Sequence, residues 1–208
     1  MTEGGLGLRE RKRLATKRSI QRAVLSLSIE HGFDRVTIEE VSREADIAPR
    51  TFFNYFPTKE AALVGDVPRE LDSAAVERFI AGGPSGSFFV DFGEMMISHL
   101  DGVQFDREIY ELRHCFFRDN PDLARTHFAL MKHFESGLVE IVLSRIARDQ
   151  ATQPSIDLAD APMLTAIAMG AVRAAWMNWA SDTAHNQEIS AHVRASCANV
   201  YRVVSEYR

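Results

Sequence analysis

The spacing of apolar residues constrains the fold of this chain more than any other feature. Apolar residues recur every three or four positions along most of its 208 residues, and no stretch alternates apolar and polar residues long enough to indicate a strand. That spacing places apolar side chains on one face of an α-helix, so an all-α fold is predicted. Hydrophobic residues make up 46% of the chain, which is enough for a buried core and excludes wholesale disorder.

Capping and breaking residues divide the chain into about nine helices. Gly32 is expected to end the first helix, and Phe33 to pack back on it. Thr37 with Glu40 predicts a capping box at the second helix, and Asn120 is expected to cap a later one. The predicted helices cover residues 9–31, 38–45, 49–55, a fourth from 59 with a kink near 68, 88–100, 106–117, 121–149, 162–181 and 187–207.

The formal net charge of −5 is unevenly distributed. Residues 1–22 contain seven basic and two acidic residues and carry +5, whereas residues 61–208 carry −7. This asymmetry indicates a basic N-terminal contact module on an acidic body, although a solvated helix face with a few extra arginines has the same composition. We expect four basic residues to precede the first helix as an arm that reaches the minor groove or backbone of DNA: Arg9, Arg11, Lys12 and Arg13.

Residues 37–59 carry the most informative motif. Two short helices joined by a tight turn, after a longer basic helix, are typical of a helix-turn-helix. A helix enters the major groove only if its exposed face is small, polar or basic, and Arg50, Thr51 and Asn54 supply such a face. Phe52 and Phe56 are expected to pack inward. For Arg50 the alternative is an ordinary solvated arginine.

Phosphate contacts are expected at the edges of this motif. Thr37 and Lys59 each lie at the start of a helix, where unpaired backbone N–H groups and the helix dipole favour an anion. Tyr55 and Phe53 place aromatic rings beside the groove.

Three ordered segments resemble the TetR family of transcriptional regulators: Thr37-Ile-Glu-Glu-Val41, Ala45-Asp-Ile-Ala48, and Thr51-Phe-Phe-Asn-Tyr-Phe-Pro-Thr-Lys-Glu60. The resemblance implies a three-helix DNA-binding domain over residues 1–58 and a domain of about six helices over residues 59–208 that binds a small molecule and dimerises. It also implies that Tyr55 contacts a phosphate, as do Lys59 and Thr37. Asp46 stands where the family often has Gly, and Phe53 where it often has Tyr. Asp still tolerates a left-handed backbone, but Phe53 lacks the hydroxyl for a polar contact.

Aromatic, Met and polar residues in the second domain are candidates for an effector pocket, and an ordinary helical core is the alternative for each of them. Arg113 would hold a carboxylate or phosphate, or would pair with Glu111 or Glu94. The region from Leu112 to Phe134 resembles the sensor domains of actinobacterial TetR members that respond to acyl-coenzyme A. The candidate pocket residues are Phe92, Met96, His99, Arg113, Phe117, His127, Met131 and Trp176.

The last two helices are the expected dimer surface, where small residues permit close helix approach, unless these residues pack within one subunit. Those residues are Ala166, Ala168, Gly170, Ala171, Ala174 and Ala175. A two-fold dimer implies a near-palindromic operator. The predicted function is therefore a ligand-responsive regulator, most simply a repressor, that an apolar or amphipathic effector releases from double-stranded DNA.

Other functional classes have less support. No metal-ligand spacing, Gly-rich phosphate loop or nucleophile elbow occurs, so we expect no catalytic site, no metal and no cofactor. An all-helical carrier of small molecules is the alternative function, and a nonspecific architectural DNA protein is the third. Two cysteines, no signal-like N-terminus and an apolar stretch interrupted by Arg173 favour a cytoplasmic protein without a membrane span.

Overall fold

The structure is a computed structural model that describes residues 7–65, 71–100, 106–150, 156–182 and 187–206, without the side chains of residues 100 and 126–130. Every regular element within these residues is helical, which confirms the predicted all-α class. The ten α-helices of the described ranges are α1 (Leu8–His31), α2 (Ile38–Glu44), α3 (Pro49–Phe53), α4 (Lys59–Val64), α5 (Ser73–Ile80), α6 (Phe88–Leu100), α7 (Arg107–Asp119), α8 (Pro121–Asp149), α9 (Ala161–Ser181) and α10 (Ile189–Glu206).

The contacts divide the chain into two compact units. Unit 1 comprises residues 1–67 and 104–128, and unit 2 comprises residues 68–103 and 129–208. The predicted boundary between residues 58 and 59 does not coincide with this division, because α1 packs against both α4 and α7 as well as α2. The start of α8 belongs to unit 1 and the rest of that helix to unit 2.

Unit 1 has one core, to which the buried face of α1 contributes Ile20 and Val24, both 0% exposed. Ile109 and Phe116 of α7 complete that core, and the Phe116 ring lies edge-on to Phe33 at 6.2 Å between centroids. Burying each of these side chains stabilises the unit by about 1.5–3 kcal/mol. The helix α7, which follows α5 and α6 in the sequence, is therefore part of the core of unit 1.

The N-terminal basic residues lie in a helix and not in an arm. The helix α1 begins at Leu8, so Arg9 to Arg13 occupy its first turns, and its first buried residue is Ile20. The expected arm is therefore corrected to about 18 Å of helix ahead of the first buried residue, at 1.5 Å per residue. The Gly32 stop is confirmed, with φ of 86° and its N–H bonded to the carbonyl of Ser28.

Unit 2 is built on aromatic side chains and one buried ion cluster. Phe79 of α5 and Phe92 of α6 are both almost fully buried, with ring centroids 5.9 Å apart. Arg145 of α8, 2% exposed, donates to the carbonyl of Phe79 at 2.6 Å and to the carboxylate of Asp149 at 2.6 Å. The same guanidinium lies 3.3 Å from Asp91 of α6, so these bonds join α5, α6 and α8.

The helix α9 differs from expectation on one side. Its sequence is apolar nearly all round, which indicates burial on most sides, but only one face is buried within unit 2, and the opposite face exposes Met163 by 59% and Met177 by 56%. The segment Leu158–Ser181 also has the length and a mean hydropathy of 1.2 that would allow a membrane span by those two criteria, which core helices meet equally. The buried face of α9 consists of Ala161, Thr165, Ala168, Val172, Ala175 and Trp179.

Two further boundaries differ from the predictions. The helix α3 ends at Phe53, two residues early, and α4 ends at Val64 before a Gly65 with φ of 85°. The kink expected at Pro68 lies outside the described residues. The side-chain amide of Asn120 donates to the carbonyl of Phe116 at 2.8 Å, so it closes the helix before it and is not seen to cap the one after it.

Candidate nucleic-acid interface

The turn between α2 and α3 has the backbone that a helix-turn-helix needs. Asp46 adopts φ of 55°, the left-handed conformation expected for it. The N–H of Asp46 donates to the carbonyl of Arg43 at 3.2 Å, and that of Ile47 to the carbonyl of Ser42 at 2.9 Å. These bonds end α2 and direct the chain into Pro49, the first residue of α3, whose missing N–H costs nothing there.

The two faces of α3 divide as predicted. Phe52 is 0% and Phe56 4% exposed, both in the core of unit 1, which confirms that they pack inward. Arg50 and Asn54 are exposed, and Thr51 is half-buried beside them. The predicted reading residues therefore share the outer face of a helix whose inner face is fixed by the core.

Phe53 adds an apolar element to this outer surface. Its ring is 56% exposed and meets the buried Phe52 ring edge-on, with centroids 5.5 Å apart. Tyr55 is half-buried against the same core. The surface offered to a partner is thus one guanidinium, one amide, one hydroxyl and one ring.

Thr37 begins α2 with the predicted capping box. Its hydroxyl accepts from the N–H of Glu40 at 3.2 Å, and the Glu40 carboxylate accepts from the N–H of Thr37 at 2.8 Å. The hydroxyl of Thr37 also donates to this carboxylate at 2.9 Å. The backbone N–H of Thr37, then its hydroxyl, hold the pKa of Glu40 below its usual value. A phosphate at Thr37 therefore has to compete with a carboxylate already bound there.

Lys59 faces the protein more than the solvent. Its ammonium donates to the backbone carbonyls of Phe33 and Val36, each at 2.6 Å, and lies 4.2 Å from the centroid of the Phe33 ring. An ammonium has three N–H groups, so one remains for the predicted phosphate contact. Sequence patterns did not indicate these bonds, because backbone carbonyls carry no residue-specific signal.

Two other contacts that the sequence did not indicate hold α1 against the motif. The Ser19 hydroxyl donates to the carbonyl of Ala45 at 3.3 Å, at the end of α2. The Lys17 ammonium lies 5.5 Å from the centroid of the Phe56 ring. Both contacts position the helix-turn-helix on α1.

The candidate pocket residues do not all lie in one unit. Arg113 and Phe117 belong to unit 1, where Arg113 Nε donates to the carbonyl of Leu63 at 3.0 Å, at the end of α4. The side chain of His127 lies outside the described residues. Arg113 therefore serves the packing of α4, and neither Glu111 nor Glu94 is its observed partner at this nitrogen.

The remaining pocket candidates belong to unit 2. Phe92 is 0% and Met96 5% exposed, and Phe92 is enclosed by the rings of the aromatic core. His99 lies 5.8 Å from the Phe134 ring, while Met131 and Trp176 are half-buried. A cavity of about 120 Å³ in this unit is lined by other residues and is smaller than the roughly 300–1,000 Å³ of typical ligand pockets.

Unit 1 thus presents a polar and basic helix face on a rigid helix-turn-helix, which defines a DNA-binding class of domain. Residues 20–64 match the sequence model of the family described as bacterial regulatory proteins, tetR family. These residues therefore form a DNA-binding domain of the type found in that family.

Three relatives illustrate the similarity. The chain is 28% identical over 151 residues to the HTH-type transcriptional regulator TcmR of Streptomyces glaucescens, a match that covers 69% of this chain and 66% of TcmR. It is 36% identical over 61 residues to the putative mycofactocin biosynthesis transcriptional regulator MftR of Mycobacterium tuberculosis, covering 29% of this chain and 31% of MftR. The chain thus matches less than two thirds of either relative's length.

The third relative is a solved structure. Thermus thermophilus FadR, a TetR-family transcriptional repressor in complex with lauroyl-CoA, is 19% identical to this chain. That comparison covers 89% of this chain and 93% of FadR, with a TM-score of 0.42.

Proposed function

We propose that this protein is a dimeric, ligand-responsive transcriptional regulator, most simply a repressor, that binds a near-palindromic operator. The observation that carries the proposal is the outer face of α3, where Arg50, Thr51 and Asn54 are presented by a helix anchored in the core through Phe52. A helix of this kind reads base edges in the major groove, and an arginine there makes a bidentate contact with guanine.

The remaining DNA contacts are proposed around this helix. Tyr55 follows α3 and Thr37 precedes α2, and both are proposed phosphate contacts, while the exposed basic turns of α1 add positive charge for phosphates. Base contacts set specificity and phosphate contacts set general affinity and its salt dependence.

The test of DNA reading begins with selection of bound duplexes from a random pool by the wild-type protein. Arg50→Ala should then weaken binding to the selected duplex by about 1–3 kcal/mol and relax specificity at one base pair. Arg202→Ala is the matched control, since it removes the same charge from an exposed pair with Glu206. Unchanged affinity of Arg50→Ala in a fluorescence-anisotropy titration would refute the assignment. Binding without a preferred sequence would favour the nonspecific architectural DNA protein, and the absence of DNA binding would favour the all-helical carrier.

Dimerisation is proposed through the open face of α9. Its exposed residues repeat every three or four positions and include Met163, Ile167 and Met177, while Gly170 between them has open space where a Cβ would lie. Ala166 and Ala174 share this face, whereas Ala168 and Ala175 are buried within unit 2. A contiguous apolar stripe of this kind is typical of an interface.

The dimer test uses two glycines in comparable settings. Gly170 and Gly137 both lie in helices, and a Cβ added at either position would have no neighbour within 4 Å. The Cβ of an arginine at either position therefore would not clash with the rest of its own subunit. Gly170→Arg should give the monomer mass by light scattering at micromolar concentration, and Gly137→Arg should keep the dimer mass. A monomeric wild-type protein would refute the proposal. In a two-fold dimer, the two copies of α3 would lie about 34–36 Å apart.

The effector is proposed to be an apolar or amphipathic small molecule that contacts Met96, His99, Met131 and Trp176 in unit 2. The support is the combination of adaptable Met and aromatic side chains with one polar ring. The effector can release DNA only by binding the DNA-incompetent arrangement more tightly. Titration of the protein–operator complex with fatty acyl-coenzyme A and with aromatic compounds tests this, and release by none of them at saturation would count against it.

A further inference from the structure

Lys59 occupies an unusual place relative to the helix-turn-helix. The two carbonyls that it binds, those of Phe33 and Val36, lie in the turn that leads into Thr37. Lys59 itself follows Thr58, the residue after which the chain leaves the motif. A single ammonium therefore joins the two ends of the segment formed by residues 37–58.

The chemistry of this contact suits a fixed connection, called here the Lys59 joint, between the ammonium of Lys59 and the carbonyls of Phe33 and Val36. Bonds from an ammonium to carbonyls are charge-assisted, and both are short at 2.6 Å. The face of the Phe33 ring lies 4.2 Å from the same ammonium and adds a cation–π attraction. Phe33 is itself buried and packs on Phe116 of α7, so the joint is anchored in the core of unit 1.

The other contacts of the helix-turn-helix do not by themselves fix the orientation of α3. The helix α3 has five residues and α2 has seven, too few to be stable on their own. Their orientation depends on what holds the ends of the segment as well as on Phe52 and Phe56 beneath it. A small rotation of α3 would misplace Arg50 without changing the number of cations near DNA.

We propose that Lys59 is a positioning residue, which connects the two ends of the helix-turn-helix segment and thereby holds α3 in its reading orientation. In this role its ammonium binds the Phe33 and Val36 carbonyls and not a phosphate. The inference rests on the proposed DNA binding. It adds to that function a determinant of sequence specificity that touches no base.

The experiment compares Lys59→Met with Lys12→Met, the same substitution at an exposed residue of α1 in the same unit. Binding is measured by anisotropy on the duplex selected by the wild-type protein and on a scrambled duplex of equal composition, from about 50 to 200 mM KCl. Lys59→Met should lose roughly tenfold or more on the selected duplex and less than about twofold on the scrambled one, with the salt slope unchanged.

Several results would overturn the proposal. Equal losses of affinity on both duplexes would show that Lys59 binds a phosphate, if the slope of log affinity against log salt concentration also became shallower by about 0.9 for each lost contact. Equal losses with an unchanged slope, or no loss at all, would also refute it. Lys12→Met shows, in the same assay, how the loss of one positive charge changes DNA binding while the contacts of Lys59 stay intact.

A second variant covers the case in which Lys59→Met does not fold. Lys59→Arg keeps the charge but replaces a point donor with a planar fork, which does not fit two carbonyls converging on one nitrogen. We expect it to lose specificity in the same way, and wild-type specificity in Lys59→Arg would refute positioning. If the wild-type protein itself binds both duplexes equally, the proposed function fails; if the wild type is selective and Lys59→Met equally so, only the present inference fails.

Discussion

Arg145 holds a buried positive charge inside unit 2, and Arg145→Met removes that charge while keeping much of the side-chain volume. The wild-type guanidinium donates to Phe79 and Asp149 at 2.6 Å and pairs with Asp91 at 3.3 Å. The side chain of Asp91 is 0% exposed, so water cannot replace the lost partner without a rearrangement. The variant leaves a buried carboxylate and a buried carbonyl with fewer bonds.

The expected cost follows from what remains at Asp91. Removing one partner of a buried ion pair typically costs about 3–5 kcal/mol. Asp91 keeps two bonds from Ser85, one from its N–H and one from its hydroxyl, each at 2.7 Å, which places the cost at the lower end of this range, about 3 kcal/mol. Arg145→Met combined with Asp91→Asn should cost less than the sum of the two single changes, because neither charge is then left alone.

Urea unfolding followed by circular dichroism, at one fixed protein concentration, measures these differences. Arg202→Met is the control, because its pair with Glu206 is exposed and such pairs contribute about 0–1 kcal/mol. A loss of less than about 1 kcal/mol for Arg145→Met, equal to that of the control, would contradict the reasoning, since it would mean that Asp91 is not isolated by the substitution.

Three further predictions concern local features. Because the pKa of Glu40 is lowered in the folded state, the contribution of Glu40 to stability is present above its unfolded pKa and is lost as the pH falls through its folded pKa. Thr37→Ala should move the pKa of Glu40, measured by NMR, towards its usual value. Burial, and then the charge of Glu94, raises the pKa of the Cys197 thiol to about 11, so maleimide at pH 8 should leave it unmodified by mass spectrometry until the protein unfolds. Gly93→Ala should destabilise the protein by about 1–3 kcal/mol, because its Cβ would lie 3.0 Å from the sulfur of that thiol, whereas Gly137→Ala, in open space, should stabilise it by about 0.5–1 kcal/mol.

The features that sequence predicted well are those fixed within a few residues. The Thr37 capping box and the Gly32 stop were predicted and occur, and Asp46 adopts the left-handed backbone that it was expected to tolerate. Each depends on one side chain or one φ angle and on backbone groups three or four positions away. Such rules need no knowledge of the rest of the chain.

The features that sequence missed depend on distant parts of the chain. Nothing near Lys59 indicates that its ammonium will meet backbone carbonyls more than twenty residues earlier. Likewise, Ile109 and Phe116 form an ordinary amphipathic pattern, which predicts burial but not burial in unit 1. The α9 pattern leaves a similar ambiguity, because an apolar face that packs within one subunit and an apolar face that packs on a second copy have the same composition.

The charge of the N-terminal segment needs a similar correction. The +5 of residues 1–22 already includes Glu10, which pairs with Arg13 at 2.9 Å, but Arg22 pairs with Glu108, an acid outside the segment, at 2.8 Å. A cation that already faces a carboxylate contributes less to the release of counterions from DNA. For the proposed DNA binding, the count of basic residues therefore overstates the salt-dependent affinity. More of the discrimination between DNA sites then falls on the outer face of α3, whose orientation the uncharged core and Lys59 maintain.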